Sequence, residues 1–171
     1  MRWYLLGVSS FIFLFGCSRM SEDQLLSEAQ KAYTEKDYPK AIKHFEELVD
    51  RFPKGQFSET SQLRIGTIYS DDLQDFPKAI ESYRKCMTLF PESGAAAKSK
   101  FLIGFVFNNY LHQYDSARAA YEEFLAKYPN HEMAASAKFE IETMGKDIDQ
   151  IFTPLQEPPA KPVAAEKKKK K

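Results

Sequence analysis

The sequence predicts an all-α fold, an α-solenoid of three helical hairpins closed by a C-terminal capping helix. Five kinds of residue recur at a spacing of 38. They are Pro53, Pro91 and Pro129; Phe52, Phe90 and Tyr128 just before them; Ala41, Ala79 and Ala117; Phe45, Tyr83 and Tyr121; and Tyr38, Phe76 and Tyr114. A fixed period of this length marks stacked units that each leave an apolar face for a neighbour to cover. Inside each unit, apolar residues return at three- and four-residue steps, the spacing of one helix face.

Taken in chain order, Met1-Arg2 opens a short positive region, and residues 3–15 (WYLLGVSSFIFLF) are mostly apolar and uncharged. That run is too short for an ordinary membrane-spanning helix and has the form of a signal peptide over 1–16. It ends in Leu14-Phe15-Gly16-Cys17, which resembles a bacterial lipobox, with Phe15 bulkier than the usual residue. The resemblance implies cleavage before Cys17 and lipidation of its thiol, with 17–20 as a short tether. Two or more acyl chains hold a protein stably at a bilayer where one is marginal. Ser18 stands where an aspartate would, in some bacteria, imply inner-membrane retention, so the expected location is lipid-anchored, periplasm-facing and outer-membrane.

The repeat domain is expected over 21–152, divided at about 21–55, 56–93 and 94–130, with a cap helix over 131–152. The first helices carry Leu25-Leu26, Ala29 and Ala32-Tyr33; Leu63, Ile65-Gly66 and Ile68-Tyr69; and Phe101-Leu102, Gly104-Phe105 and Phe107. The second helices carry Ala41-Ile42, Phe45 and Leu48-Val49; Ala79-Ile80, Tyr83 and Cys86-Met87; and Ala117, Ala120-Tyr121 and Phe124-Leu125. Ser21 with Gln24 has the form of a capping box. Asp37 and Asp75 are candidate N-caps, and Pro39 and Pro77 fall in the first turn, where a missing N–H is tolerated. Pro53, Pro91 and Pro129 stop the second helices. The fourth first-helix, about Glu132 to Ile151, continues the Phe101 and Ile103 columns with Phe139 and Ile141, while Glu142 replaces the small residue.

These residues resemble the tetratricopeptide repeat (TPR) family over about 21–150. Its pattern places a small residue in each helix where two helices cross, an aromatic one turn later, and a terminal proline. The small pairs here are Ala29/Ala41, Gly66/Ala79 and Gly104/Ala117. The unit is longer than the family's usual 34 residues, in part through one extra residue before the second helices, at Asp71-Gln74 and Leu111-Gln113. Two phrases, DYPKAIKHFEELVDRFPKG and YDSARAAYEEFLAKYPNH, are similar to BamD-like envelope lipoproteins and to the TPR region of the Tol–Pal system's periplasmic protein. BamD-like chains usually carry about five repeats, and this one has room for three and a cap.

From Pro154 the chain reads PLQEPPAKPVAAEKKKKK, whose proline density and lysine run cannot build a packed core. A disordered tail over 153–171 is expected. Lys167, Lys168, Lys169, Lys170 and Lys171 serve either as a solubilising end or as a contact to an anionic surface. The 24 basic and 24 acidic residues are unevenly placed. With one basic residue in 1–16, and six basic and two acidic in the tail, 17 basic and 22 acidic remain in 17–153, a net of −5. An acidic body argues against nucleic acid as a partner.

No catalytic constellation emerges. His44, His112 and His131 lack metal-ligand spacing, so no metal and no cofactor is expected beyond the lipid on Cys17. No HExxH, GxSxG or phosphate loop occurs. Glu46-Glu47 and Glu122-Glu123 read as solvated outer faces, and Cys86 as a small buried hydrophobe.

The TPR resemblance implies a partner groove lined by the first helices: Gln30, Tyr33, Thr67, Ser70, Phe101, Phe105, Asn108 and Asn109. Phe105 either anchors a peptide there or packs on the neighbouring hairpin. Some family members clamp a C-terminal carboxylate with basic and asparagine residues; Gln30, Thr67 and Phe105 lack that set. The expected function is a non-enzymatic, membrane-tethered adaptor binding envelope proteins or peptide segments, in outer-membrane assembly. The alternative is a cell-wall-associated scaffold whose lysine tail contacts anionic polymer.

Overall fold

A computed structural model describes residues 19–146. The signal segment 1–16, Cys17 and the tail with Lys167 to Lys171 lie outside the described residues. Among the described residues seven α-helices follow one another: α1 (Glu22–Thr34), α2 (Tyr38–Arg51), α3 (Ser58–Thr67), α4 (Phe76–Leu89), α5 (Gly94–Asn109), α6 (Tyr114–Lys127) and α7 (Ala134–Thr143). They pair as α1/α2, α3/α4 and α5/α6, each hairpin stacks on the next, and α7 closes the series. Among the described residues there is no strand, and no helix is long and apolar enough to cross a membrane.

Local chemistry sets the helix ends. Ser21 and Gln24 form the capping box: Gln24 N–H donates to Ser21 Oγ at 3.2 Å and Ser21 N–H to Gln24 Oε1 at 2.9 Å. Asp37 and Asp75 each accept from the backbone N–H three residues on, at 3.2 Å, and a proline sits in the first turn of each helix. Gln113 holds the same place before α6 without a side-chain cap. The second helices end alike, with Phe52, Phe90 and Tyr128 all at ψ 56° ahead of the prolines.

The extra residue of hairpins two and three has a clear structural form. The turn residues Lys36, Gln74 and His112 all have positive φ, at 62°, 52° and 52°. In the first hairpin Asp37 N–H reaches back to Ala32 C=O, five residues away, at 2.9 Å. In the others Asp75 reaches Tyr69 and Gln113 reaches Phe107, six residues away, at 2.8 and 2.9 Å. The added residue is taken up by a widened last turn. Leu73 donates to Ile68 and Leu111 to Val106, and the Ile68–Asp72 stretch is π-helical.

The core runs as three clusters along the stack. Ala29, Ala32, Ala41, Ile42, Phe45, Ile65 and Ile68 form the first, and Ala79, Ile80, Tyr83, Ile103 and Val106 the second. The third holds Ala97, Phe101, Ala117, Tyr121, Phe124 and Ala137. Two glycines decide how closely helices approach. A Cβ on Gly66 would lie 2.4 Å from Tyr83 Cε1, and one on Gly104 would lie 2.8 Å from the Tyr121 ring. Both rings are buried, so each tyrosine packs directly on a helix that has no side chain there. In the first hairpin the corresponding partners are Ala29 and Phe45, both buried.

The cap helix is shorter than expected. In place of about Glu132 to Ile151, α7 covers Ala134–Thr143. Met144 turns extended with ψ 124°, and Gly145 at φ 73° passes beside the Tyr114 ring. The part of the expected cap beyond Lys146 lies outside the described residues. Phe139, in register with Phe101, is 52% exposed where Phe101 is 6%, because among the described residues no second helix follows α7.

Burial pushes the Tyr83 and Tyr121 phenols well above their usual range, with Asp71 adding to the effect at Tyr83 and Glu140 at Tyr121. A folded-state pKa above the unfolded value of about 10 gives stability that is complete below pH ~10 and is lost as pH rises toward the folded value. In an alkaline titration, Tyr83 and Tyr121 should therefore ionise only as helical circular dichroism is lost, which tyrosinate absorbance will show. Gly66→Ala should lower stability by about 1–3 kcal/mol through overpacking, despite alanine's better helix propensity. Gly94→Ala, with open space around it, should be neutral or mildly stabilising in the same thermal unfolding measurement.

Candidate functional site

The first helices α1, α3 and α5 lie on one face of the stack. Between α1 and α3 that face opens into a cleft of about 350 Å³. Leu26 and Gln30, one turn apart on α1, form one wall. Thr60, Ser61, Leu63, Arg64 and Thr67 on α3 form the other, and Phe45 from α2 closes the floor. The spacing of Thr60, Arg64 and Thr67 repeats at the helical period and aims all three to one side.

The upper rim is polar and the floor apolar. The Arg64 guanidinium lies over the Tyr33 ring, 5.0 Å from its centroid, and Arg64 is exposed. No ion pair to Arg64 exists among the described residues. Thr67 Oγ1 donates to Arg64 C=O at 2.9 Å, a bond within its own helix. Ser61 is buried, and among the described residues its Oγ has no hydrogen-bond partner.

The expected groove residues divide into three groups. Gln30, Tyr33 and Thr67 meet around this cleft. Ser70 and Phe101 do not line a groove: both are buried. Ser70 sits at the Tyr83 hydroxyl, and the Phe101 ring packs on Tyr121 and Phe124 at centroid distances of 5.4 and 5.7 Å. Phe101 points at its own second helix rather than across the face, which corrects its assignment as a groove residue. Phe105, Asn108 and Asn109 gather at the third hairpin. Phe105 is half-buried with its edge toward Tyr110 at 5.9 Å. Asn108, largely buried, donates to Glu140 Oε2 on α7 at 2.7 Å. The Asn109 amide donates to Phe105 C=O at 3.2 Å on its own helix.

Arg64 and Ser61 were missed by the sequence reading. A lone arginine on a helix surface normally reads as solvated charge. Its signal is a break in a column: one unit later Arg64 becomes Leu102 and Thr67 becomes Phe105, and both pack partly into the core. Two of the three histidines make local contacts, while His44 Nδ1 is buried with no hydrogen-bond partner among the described residues. His131 Nδ1 accepts from Met133 N–H at 3.1 Å with its ring against Phe124, and His112 lies beside Tyr114. Burial pushes the Cys86 thiol up, which suits packing rather than reactivity.

Compared with known proteins, residues 18–141 match the family described as soluble NSF attachment protein, SNAP. No curated protein matches. Among solved structures, an Arabidopsis OM64 TPR domain superposes with a TM-score of 0.53 at 18% identity, covering 71% of this chain and 94% of that one. That likeness speaks to the fold alone, and it agrees with a solenoid of TPR-like hairpins.

The burial difference has a direct consequence. Phe101→Ala should cost about 3–5 kcal/mol as a core truncation. Phe139→Ala, in the same column but half in solvent, should cost roughly 1 kcal/mol. Denaturant unfolding of the two variants measures both.

Proposed function

The chain belongs to the soluble NSF attachment protein (SNAP) family, and from that premise we propose that it is a non-enzymatic, lipid-anchored adaptor that holds other envelope proteins on the face of its first helices. The family's name records attachment to NSF, and a stack of TPR-like hairpins is a scaffold for protein partners. The observation that carries the reading is the α1–α3 cleft. It is a surface recess whose floor is the exposed edge of the core, at Leu26, Phe45 and Leu63, and whose rim carries the polar Gln30, Thr60, Arg64 and Thr67.

The anchor rests on Leu14-Phe15-Gly16-Cys17, with the lipid on Cys17 and the body facing the periplasm, at the outer rather than the inner membrane. A role in outer-membrane protein assembly draws on the phrases similar to BamD-like lipoproteins. The run Lys167 to Lys171 favours a second reading, a scaffold at the cell wall with its tail on anionic polymer.

Two measurements test this. A photoreactive residue in place of Leu63 in the full chain should capture a defined envelope protein in cells, and one in place of the exposed Lys43 should not. The reverse pattern contradicts the groove. Cys17→Ser should release the chain from the membrane fraction; unchanged sedimentation contradicts the anchor. For the second reading, wall binding should be lost both at high salt and on deletion of the lysine run.

A further inference from the structure

We infer that the α1–α3 cleft receives an internal stretch of a partner chain in which an acidic side chain adjoins a large aliphatic one, with Arg64 pairing the carboxylate. This deepens the proposed function and rests on the cleft being the partner site.

Charge carries the first part of the argument. Two other clefts between successive hairpins contain both signs. One is lined by Glu46 and Glu81 together with Lys78 and Lys85. The other is lined by Arg84 and Lys100 together with Glu123, and Lys100 Nζ meets Glu123 Oε2 at 2.6 Å. The α1–α3 cleft has Arg64 and no carboxylate among its lining residues. Among the described residues no carboxylate pairs with this cation. Its guanidinium is already steadied over the Tyr33 ring, so less side-chain freedom remains to be lost when a carboxylate binds.

The floor carries the second part. Leu26, Phe45 and Leu63 form an apolar base beside the arginine, which suits an aliphatic side chain next to the acid.

Position carries the third part. Arg64 lies between Thr60 and Thr67, midway along a wall about 10 Å long, the span of about three extended residues. Gln30 and Thr67 flank it with uncharged polar groups. A carboxylate met in the middle, with room on both sides, belongs to a side chain of a passing segment. Capture of a chain terminus calls for several donors converging at one end.

The test uses the full chain and amide proton NMR titration with capped nonapeptides. One carries Leu-Glu-Leu in a Gly/Ser background; the others carry Leu-Gln-Leu, Ser-Glu-Ser, or Leu-Gln-Leu ending in a free carboxylate. The Leu-Glu-Leu peptide should bind at least tenfold more tightly than each of the others and shift the Arg64 side-chain N–H. Arg64→Gln, on an exposed helix position, should fold normally and reduce the Glu/Gln preference to near unity. The preference should also shrink at high salt. Equal binding of Leu-Glu-Leu and Leu-Gln-Leu, tighter binding of the free-carboxylate peptide, an unchanged preference in Arg64→Gln, or no binding would each overturn the proposal. Photocapture at position 63 that persists in Arg64→Gln would leave the groove standing and remove only the acidic occupant. Absence of photocapture at 63 would remove the groove itself.

Discussion

The seating of a buried tyrosine ring on a bare stretch of helix backbone is the contact on which the hairpins depend. At Gly66 and Gly104 there is no room for even one methyl group beneath Tyr83 and Tyr121. Helix spacing is set by the side chains at the crossing, so a ring on one side requires a glycine on the other. In the first hairpin the same columns hold Ala29 and Phe45, both buried, a pair one methyl larger and one hydroxyl poorer. The tyrosine hydroxyls then need polar company at the far side. Ser70 supplies it for Tyr83, whereas the Tyr121 hydroxyl is buried with no hydrogen-bond partner among the described residues, although Glu140 lies near enough to act on it electrostatically. Residues that resembled groove lining are therefore drawn inward by the ring they accompany.

A solenoid built this way leaves its surface columns free to vary while the packing columns stay constant. The column through Ser27, Arg64, Leu102 and Glu140 changes character at every unit, whereas Ala41, Ala79 and Ala117 do not change. In the third hairpin the column turns apolar and packs into the core cluster. At the second it is cationic beside an open cleft. The functional proposal follows from that contrast, since an open recess whose charge has no ion-pair partner among the described residues is available to another molecule. Further ties steady the approach to the cleft's first wall. Arg51 donates to Met20 C=O at 2.6 Å, and Glu22 accepts from Phe57 N–H at 2.8 Å, so the start of α1 is held to the second helix and to the turn before α3.

Most of the fold was legible because its determinants are local and repeated. The columns spaced by 38, the Ser21 capping box, the Asp37 and Asp75 caps and the prolines behind the second helices each act within a few residues of where they are written. The extra residue in hairpins two and three was legible too, though not that a widened turn would absorb it. Site residues were harder to read. Whether Phe101 faces its own second helix or the open face depends on helix phase to a fraction of a turn. Arg64 gains meaning only from what α1 places opposite it and from the missing carboxylate. The end of α7 was misjudged because the apolar register continues toward Ile151, while Gly145 at positive φ breaks the backbone first.

The account's central claim is the ring-on-glycine contact, and NMR of the α-protons of Gly66 and Gly104 tests it most directly. Protons this close to an aromatic ring should be displaced from random-coil positions by its ring current and should show strong nuclear Overhauser contacts to Tyr83 and Tyr121 ring protons, respectively. Random-coil shifts at both glycines, with no contact to either ring, would contradict the account.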